Sequence, residues 1–262
     1  MTTYENHIDR SHDILDLIAS IRLVNNDDQR NDLLRTLTKV DRPTILSFVN
    51  MHAINLCWGS GTAFDAFHAS DVLLRDGIGL SVGMKALGVD PGLNMNGTDF
   101  IPLLLRTLPK RRLAIYGTAT PWLERARIHL EHTTPHAIVD MQHGFHTVER
   151  YVESARRHKP AVILLAMGMP RQEAVAAELK RGLDHPVLIV NGGAIVDFMA
   201  QRFDRAPAVL QQMGLEWAFR LAQEPRRLFR RYVHGGARYA RILMLLRRVA
   251  LARPAGVQAQ GV

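Results

Sequence analysis

Residues 160–170, PAVILLAMGMP, leave this chain few ways to fold. Seven of the eight residues in PAVILLAM are Ala, Val, Ile, Leu or Met. A run this uniform suits a strand covered on both faces, as in a parallel sheet, better than an alternating, half-exposed one. The run then breaks into Gly-Met-Gly-Met-Pro and continues as RQEAVAAELK, a tight turn with Pro170 at the start of a helix. In open parallel sheets, ligands bind beyond the carboxyl ends of the strands, so Arg171, Gln172 and Glu173 arrive at the edge where a site would lie.

The same unit recurs. TILSFVN, DVLLRDG, RRLAIYG, HAIVDMQ and VLIVNGG read as strands, and HAINLCWGS, IGLSVGMKALG, IPLLLRTL, PWLERARIHLEH and TVERYVESARRH as intervening helices. DPGLNMNGTDF is turn-rich. Ahead of the first strand, DILDLIASIR and NDLLRTLTKV predict two amphipathic helices. The expected class is α/β, a mainly parallel sheet with helices on both faces. Its expected divisions are a helical region at 1–40, a body at 41–207 and a C-terminal segment at 208–262, with ARPAGVQAQGV frayed at the end.

Charge is unevenly distributed. From Glu216 onward there are ten Arg, no Lys and two acidic residues, whereas the preceding 215 residues carry 23 basic and 23 acidic side chains. The net charge of +8 therefore sits wholly in the last segment. There Trp217, Phe219, Leu221, Leu228, Phe229, Tyr232 and ILMLL interleave with arginine, predicting an interfacial helical segment broken at Gly235 and Gly236. An arginine-rich tail also suits nucleic acid. The N-terminus carries acids where a signal peptide carries basic residues, and no apolar run of spanning length follows, so neither export nor a spanning helix is expected. The single Cys57 excludes a disulfide framework, and its apolar setting reads as core.

Several residues could carry chemistry. Asp76, between the apolar DVLL run and Gly77, could take a proton from an attacking hydroxyl, although an ordinary Asp-Gly turn looks the same. DGIGLSVG spaces its glycines as G-x-G-x-x-x-G, one residue away from the dinucleotide fingerprint. Asn96 and Gly97 open NGTDF, which could offer amides to a phosphate and cap the next helix through Thr98 or Asp99. Gly192 and Gly193 permit close backbone approach, with Asp197 placed to bond a ribose or base, unless these glycines serve packing against the sheet. His132 with His136, and His143 with His146, lack a third ligand at a metal-binding spacing, so no metal site is expected. Ser47 and Ser81 lack the nucleophile-elbow pattern.

Taken in order, FVNMHAI, LLRDGIG, NGTDF, GMGMPRQE, GGAIVDF and FDRAPAVLQQMGLEWAFRLAQEPRRLFRRY resemble the WecG/TagA/CpsF glycosyltransferase family, glycosyltransferase family 26, over roughly residues 41–235. The resemblance implies a Rossmann-like body with no catalytic metal and no cofactor, and a basic helical appendage that closes over the active site. It implies inverting transfer of a sugar from a UDP-sugar to an undecaprenyl-diphosphate-linked sugar at the cytoplasmic face of the membrane. Carried over by position, Asp76 is the catalytic base. Asn50, Gln172 and Asp197 match polar positions around the nucleotide-sugar pocket, joined there by Asn96, Gly97, Gly192 and Gly193. Arg171 and Glu173 are expected to be peripheral. Arg220, Arg227 and Arg230 match appendage arginines expected to reach the active site or the lipid diphosphate.

Phe48 stands where relatives often carry Thr, and Asn94 where they often carry Arg, which bears on the donor sugar. FVNMHAIN, GLNMNGTDF and MGLEWAFR look nearest to xanthan-type glucosyltransferases of exopolysaccharide synthesis, with N-acetylmannosamine and N-acetylmannosaminuronic acid transferases next. The expected partners are the UDP-sugar, the lipid-linked acceptor and an anionic membrane surface rather than nucleic acid, and homo-oligomerisation stays open. A nucleotide-dependent oxidoreductase is the alternative from another class, since fold pattern alone does not separate the two.

Overall fold

A computed structural model describes residues 3–252, apart from a few side chains. Two helices, α1 (Thr3–Ala19) and α2 (Asp27–Leu37), precede β1 (Pro43–Val49). Then follow α3 (Met51–Gly59), α4 (Gly61–His68), β2 (Val72–Arg75), α5 (Ile78–Ala86), α6 (Gly97–Thr107), β3 (Arg112–Gly117), α7 (Trp122–Thr133) and β4 (Ala137–Gln142). The remainder comprises α8 (Val148–His158), β5 (Val162–Ala166), α9 (Arg171–Gly182), β6 (Val187–Asn191) and α10 (Ile195–Met199). It ends with α11 (Ala208–Gln212), α12 (Glu216–Gln223), α13 (Pro225–Phe229), a π turn (Arg230–His234) and α14 (Gly235–Ala252). The ARPAGVQAQGV end lies outside the described residues from position 253 onward.

The six strands form one sheet in the order β2-β1-β6-β5-β3-β4, every pair parallel. This is the Rossmann-like α/β fold the alternating pattern predicts. Residues of β5 and β6 are buried throughout, as the uninterrupted apolar runs require, because helices cover both faces. One face packs Leu46, Leu74, Ile115, Leu164 and Val190 against α2, α6, α7 and α10. On the other, Ile45, Tyr116, Ile163 and Ile189 meet α8 and α9, while Val49 and Leu73 meet α1, α3 and α5.

HAINLCWGS forms the expected helix, α3, ending at Gly59. A further helix follows that the sequence reading did not mark, because Ser60 turns into extended backbone and accepts from Ala63 N to start α4. One local reading of the sequence needs correction. NGTDF is capped by Asn96, whose Oδ1 accepts from Asp99 N at 2.9 Å, so Thr98 and Asp99 lie inside the first turn.

The C-terminal segment differs more. Gly235 and Gly236 do not break it: α13, the π turn and α14 run on as one helical rod. Nor does ILMLL face away from the protein. Tyr239, Ile242 and Leu246 are buried with Ile14, Leu17, Ile54 and Met84 of the body. Asn55 of α3 donates from Nδ2 to Gly235 O at 2.8 Å, fixing the rod where it crosses. The apolar stripe of α14 completes the molecule's own core, and Arg238, Arg241, Arg247 and Arg248 remain exposed. Among the described residues no helix is long and apolar enough to cross a membrane.

Candidate active site

Asp76 follows the last residue of β2, and its backbone N–H donates to Val49 O at 2.8 Å. Asn50, one residue past β1, caps α3: its Oδ1 accepts from His52 N at 3.0 Å and Ala53 N at 3.1 Å. With the amide oxygen committed to the helix, Nδ2 is left to face the neighbouring strand end, and it donates to Asp76 Oδ2 at 3.1 Å. The residue that starts α3 thus also orients the carboxylate. Beneath them Arg75, 5% exposed, spreads its guanidinium over the carbonyls of Pro91 (2.8 Å), Gly77 (3.1 Å) and Gly92 (3.1 Å). Those bonds hold the 90s loop against the turn that carries Asp76. Burial pushes the Asp76 carboxyl above the usual carboxylate range, against the opposing pull of Asn50, Arg231, Arg75 and Arg220.

Two cavities open at the carboxyl ends of the strands and share a wall made of Asn50, Asp76, Thr98, Phe198, Arg220 and Arg231. The first, about 340 Å³, lies between the start of α5 and the C-terminal segment. Asn96, Glu216, Trp217 and Tyr232 line it, with His52, whose pKa is lowered to about 4 by burial and by Arg231. The second, about 310 Å³, sits over β5 and β6 and is walled by Gly168, Asn191, Gly192 and Gly193. Asp76 stands where the two meet.

Gly97, Gln172, Gly192, Gly193 and Asp197 all line the second cavity, as does Asn50 from the shared wall, whereas Asn96 lines the first. Gly192 and Gly193 serve different ends. A Cβ on Gly192 would meet Ile195 Cγ2 at 2.4 Å, so packing requires glycine there. At Gly193 there is open space but φ is +60°, so conformation requires it. Gln172 Oε1 accepts from Gly193 N at 3.0 Å and its Nε2 donates to Glu173 Oε1 at 2.8 Å, a chain that fixes the amide and the turn together. Glu173 is fully buried and lines neither cavity, its pKa pushed up to about 7 by burial, with the Gln172 amide pulling the other way. Arg171 is exposed and bonds His146 O. Asp197 Oδ1 accepts from Thr118 Oγ1 at 2.9 Å and pairs with Arg202 at 3.1 Å.

Of the appendage arginines, Arg220 lines both cavities, its guanidinium 4.9 Å from the Phe198 ring centroid. Arg230 is exposed and lines neither. The arginine brought to Asp76 is its neighbour Arg231, which the sequence reading passed over. The side chain of Arg227 lies outside the described residues, although its backbone belongs to α13. Glu216 and Trp217 were visible only as part of a matched motif, and Asn191 only as the last polar residue before the Gly-Gly turn.

The histidine pairs have structural partners. His136 is 5% exposed, accepting from Arg111 N at 3.2 Å and facing Leu105 O at 2.8 Å, while His143 and His146 stack with centroids 3.8 Å apart. Among the described residues, no group of three or more His, Cys, Asp and Glu side chains is arranged to hold a metal ion.

The arrangement presents one carboxylate, raised in basicity, between two separate chambers, with two arginines on the shared wall. Such a site can hold two reactants on opposite sides of a proton acceptor and stabilise an anionic leaving group. A family model described as the glycosyl transferase WecG/TagA/CpsF family matches residues 17–253, a span holding every strand and both cavities. The chain belongs to the WecG/TagA/CpsF glycosyltransferase family.

Proposed function

We propose that this glycosyltransferase moves glucose from UDP-glucose to an undecaprenyl-diphosphate-linked monosaccharide with inversion, as a step of exopolysaccharide repeat-unit assembly. The observation that carries the reading is Asp76 at the junction of the two cavities. The nucleotide occupies the second cavity, with its anomeric carbon at the junction. An acceptor hydroxyl approaching from the first cavity gives its proton to Asp76 as its oxygen bonds that carbon. The bond to the UDP oxygen breaks on the far side, and the departing diphosphate takes the electron pair. Attack and departure on opposite faces invert the centre.

Arg220, Arg231 and the N-terminal end of α6 supply positive charge where the diphosphate leaves. With that charge in place, we propose that no divalent ion takes part. Family membership replaces the oxidoreductase alternative with glycosyl transfer. Phe48 supports a neutral hexose over an acetamido or uronic acid donor, because this buried ring on the second cavity offers no hydrogen bond. The exposed arginines of α14 would keep the enzyme at the inner face of the cytoplasmic membrane, beside its lipid substrate.

The test incubates the protein with a panel of UDP-sugars and a short-chain polyprenyl-diphosphate glucose, and reads product mass. A gain of one hexose from UDP-glucose is expected, unchanged by EDTA. A gain of an acetamido sugar would move the donor to the mannosamine branch. Loss in EDTA restored by magnesium or manganese would end the metal-free reading.

A further inference from the structure

We infer that the Glu216–Trp217–Tyr232 wall of the first cavity is a subsite for the pyranose ring of the acceptor; the inference rests on the glycosyl-transfer reading and assigns a place within it. A pyranose has faces of C–H bonds and a rim of hydroxyls, so its site needs a flat apolar surface beside hydrogen-bond acceptors. Trp217 supplies the surface: it is 42% exposed and lies edge-to-face with Tyr232, centroids 5.9 Å apart, so its ring is braced by a second aromatic. Glu216, next to it on α12, supplies acceptor oxygens. It is half-buried, lines the same cavity, and no described residue donates a hydrogen bond to it; burial, with Asp99 and Asp76 nearby, pushes its carboxyl above the usual carboxylate range, while Arg205 and Arg220 pull the other way. Arg205 is already paired with Asp99, which leaves the carboxylate of Glu216 to the ligand.

The position agrees with the chemistry. The hydroxyl that attacks must reach Asp76 on the shared wall, and the ring bearing it then extends into the first cavity. All three residues belong to the C-terminal segment, so acceptor recognition would be carried by helices added to the sheet, and nucleotide recognition by the sheet's own turns. A nucleobase stacked on Trp217 is the competing occupant, and the test separates the two.

The experiment uses the full chain and three probes: UDP, short-chain polyprenyl-diphosphate glucose, and the same polyprenyl diphosphate without sugar. Trp217→Ala should raise the KM for the glucose-bearing acceptor about tenfold, an expected order for one aromatic contact. Trp217→Phe should restore most of that loss, and Glu216→Ala should raise the same KM several-fold. In every variant the dissociation constant for UDP and inhibition by the sugar-free diphosphate should stay within about twofold, which also reports an intact fold. If the wild type transfers sugar but the acceptor KM is unmoved in all three variants, the subsite is wrong. It is equally wrong if the sugar-free diphosphate weakens as much as the glucose-bearing one, or if UDP weakens instead. Absence of transfer by the wild type on any UDP-sugar would count against the activity itself, a different failure.

Discussion

Two buried carboxyls show what single residues contribute, and each has a distinct signature in pH. In the proposed mechanism transfer requires ionised Asp76, whose pKa lies above the usual carboxylate range, so kcat/KM should rise with pH through a correspondingly raised acid limb. Asp76→Asn keeps shape and most hydrogen bonding but cannot accept the proton. Turnover should fall by about 10² to 10⁴ while UDP affinity, read by calorimetry, changes little. Near-normal turnover in the folded variant would remove Asp76 from the mechanism. Glu173 acts on stability. Below its ordinary value of 4.5 it is protonated in both folded and unfolded chains. Between 4.5 and about 7 the unfolded chain ionises first, so folding loses stability as pH rises, on the order of 3 kcal/mol by the plateau. His52 opposes this trend, because its pKa, lowered to about 4 from 6.5, makes stability rise with pH over that window. The difference between wild type and Glu173→Gln isolates the effect: denaturant melts should show the variant's relative stability growing from pH 4.5 to 7. A flat difference would mean Glu173 ionises normally. Asp76 was legible from an apolar run ending in Asp-Gly within an ordered set of motifs. Arg231 was not, because adjacent helical residues point about 100° apart, and the π turn at Arg230–His234 shifts the phase that ordinary helical spacing assumes.

Among the elements, the strands were the most readable and the C-terminal rod the least. Apolar runs ending in Gly, Asn or Asp mark buried parallel strands with little ambiguity, and all six strands formed where they were read, including the edge strand β4, whose AIVDMQ is interrupted by Asp140 and has no buried residue. The rod presents a composition, arginine among large apolar residues, that suits either a membrane surface or a protein core. Only tertiary packing decides which, and here Tyr239, Ile242 and Leu246 face the body. Two glycines normally cost a helix roughly 1 kcal/mol each. At Gly235 the docking bond from Asn55 offsets that cost. At the crossing with α5, Gly83 lets the rod sit close, since a Cβ there would fall 2.9 Å from Tyr239 Cζ. The rod is thus part of the folded unit. Leu246→Ala, at a fully buried site, should cost about 2 to 5 kcal/mol in denaturant melts. A cost below about 0.5 kcal/mol, the usual range for exposed positions, would mean that α14 is not docked in solution.

For the whole molecule, the consequence of a docked rod is that the proposed membrane attraction would have to come from what the rod leaves outside. The body is electrically balanced, and the +8 net charge belongs to residues from Glu216 onward. On α14 the buried stripe of Tyr239, Ile242 and Leu246 is set opposite Arg241 and Arg248, with Met244 59% and Leu251 78% exposed among them. One helix therefore seals the core with one face and offers arginines and isolated apolar side chains with the other, the composition of an interfacial surface. Arginines near an anionic bilayer contribute roughly 1 kcal/mol each, so replacing Arg247 and Arg248 by Ala should weaken binding to anionic vesicles about tenfold to thirtyfold. Both side chains are exposed and neither lines a cavity, so stability and turnover on a short-chain, water-soluble acceptor should be preserved. Turnover on a full-length lipid acceptor in vesicles should fall with binding, because the enzyme must share a surface with that substrate. Raising ionic strength from about 0.1 M to 1 M shortens the screening length from about 10 Å to 3 Å. Salt should therefore release the wild type and narrow its difference from the double variant. Equal sedimentation of both proteins with anionic vesicles at low salt would place the attachment elsewhere, with the exposed Phe229 and Val233 of the preceding turns the next surface to remove.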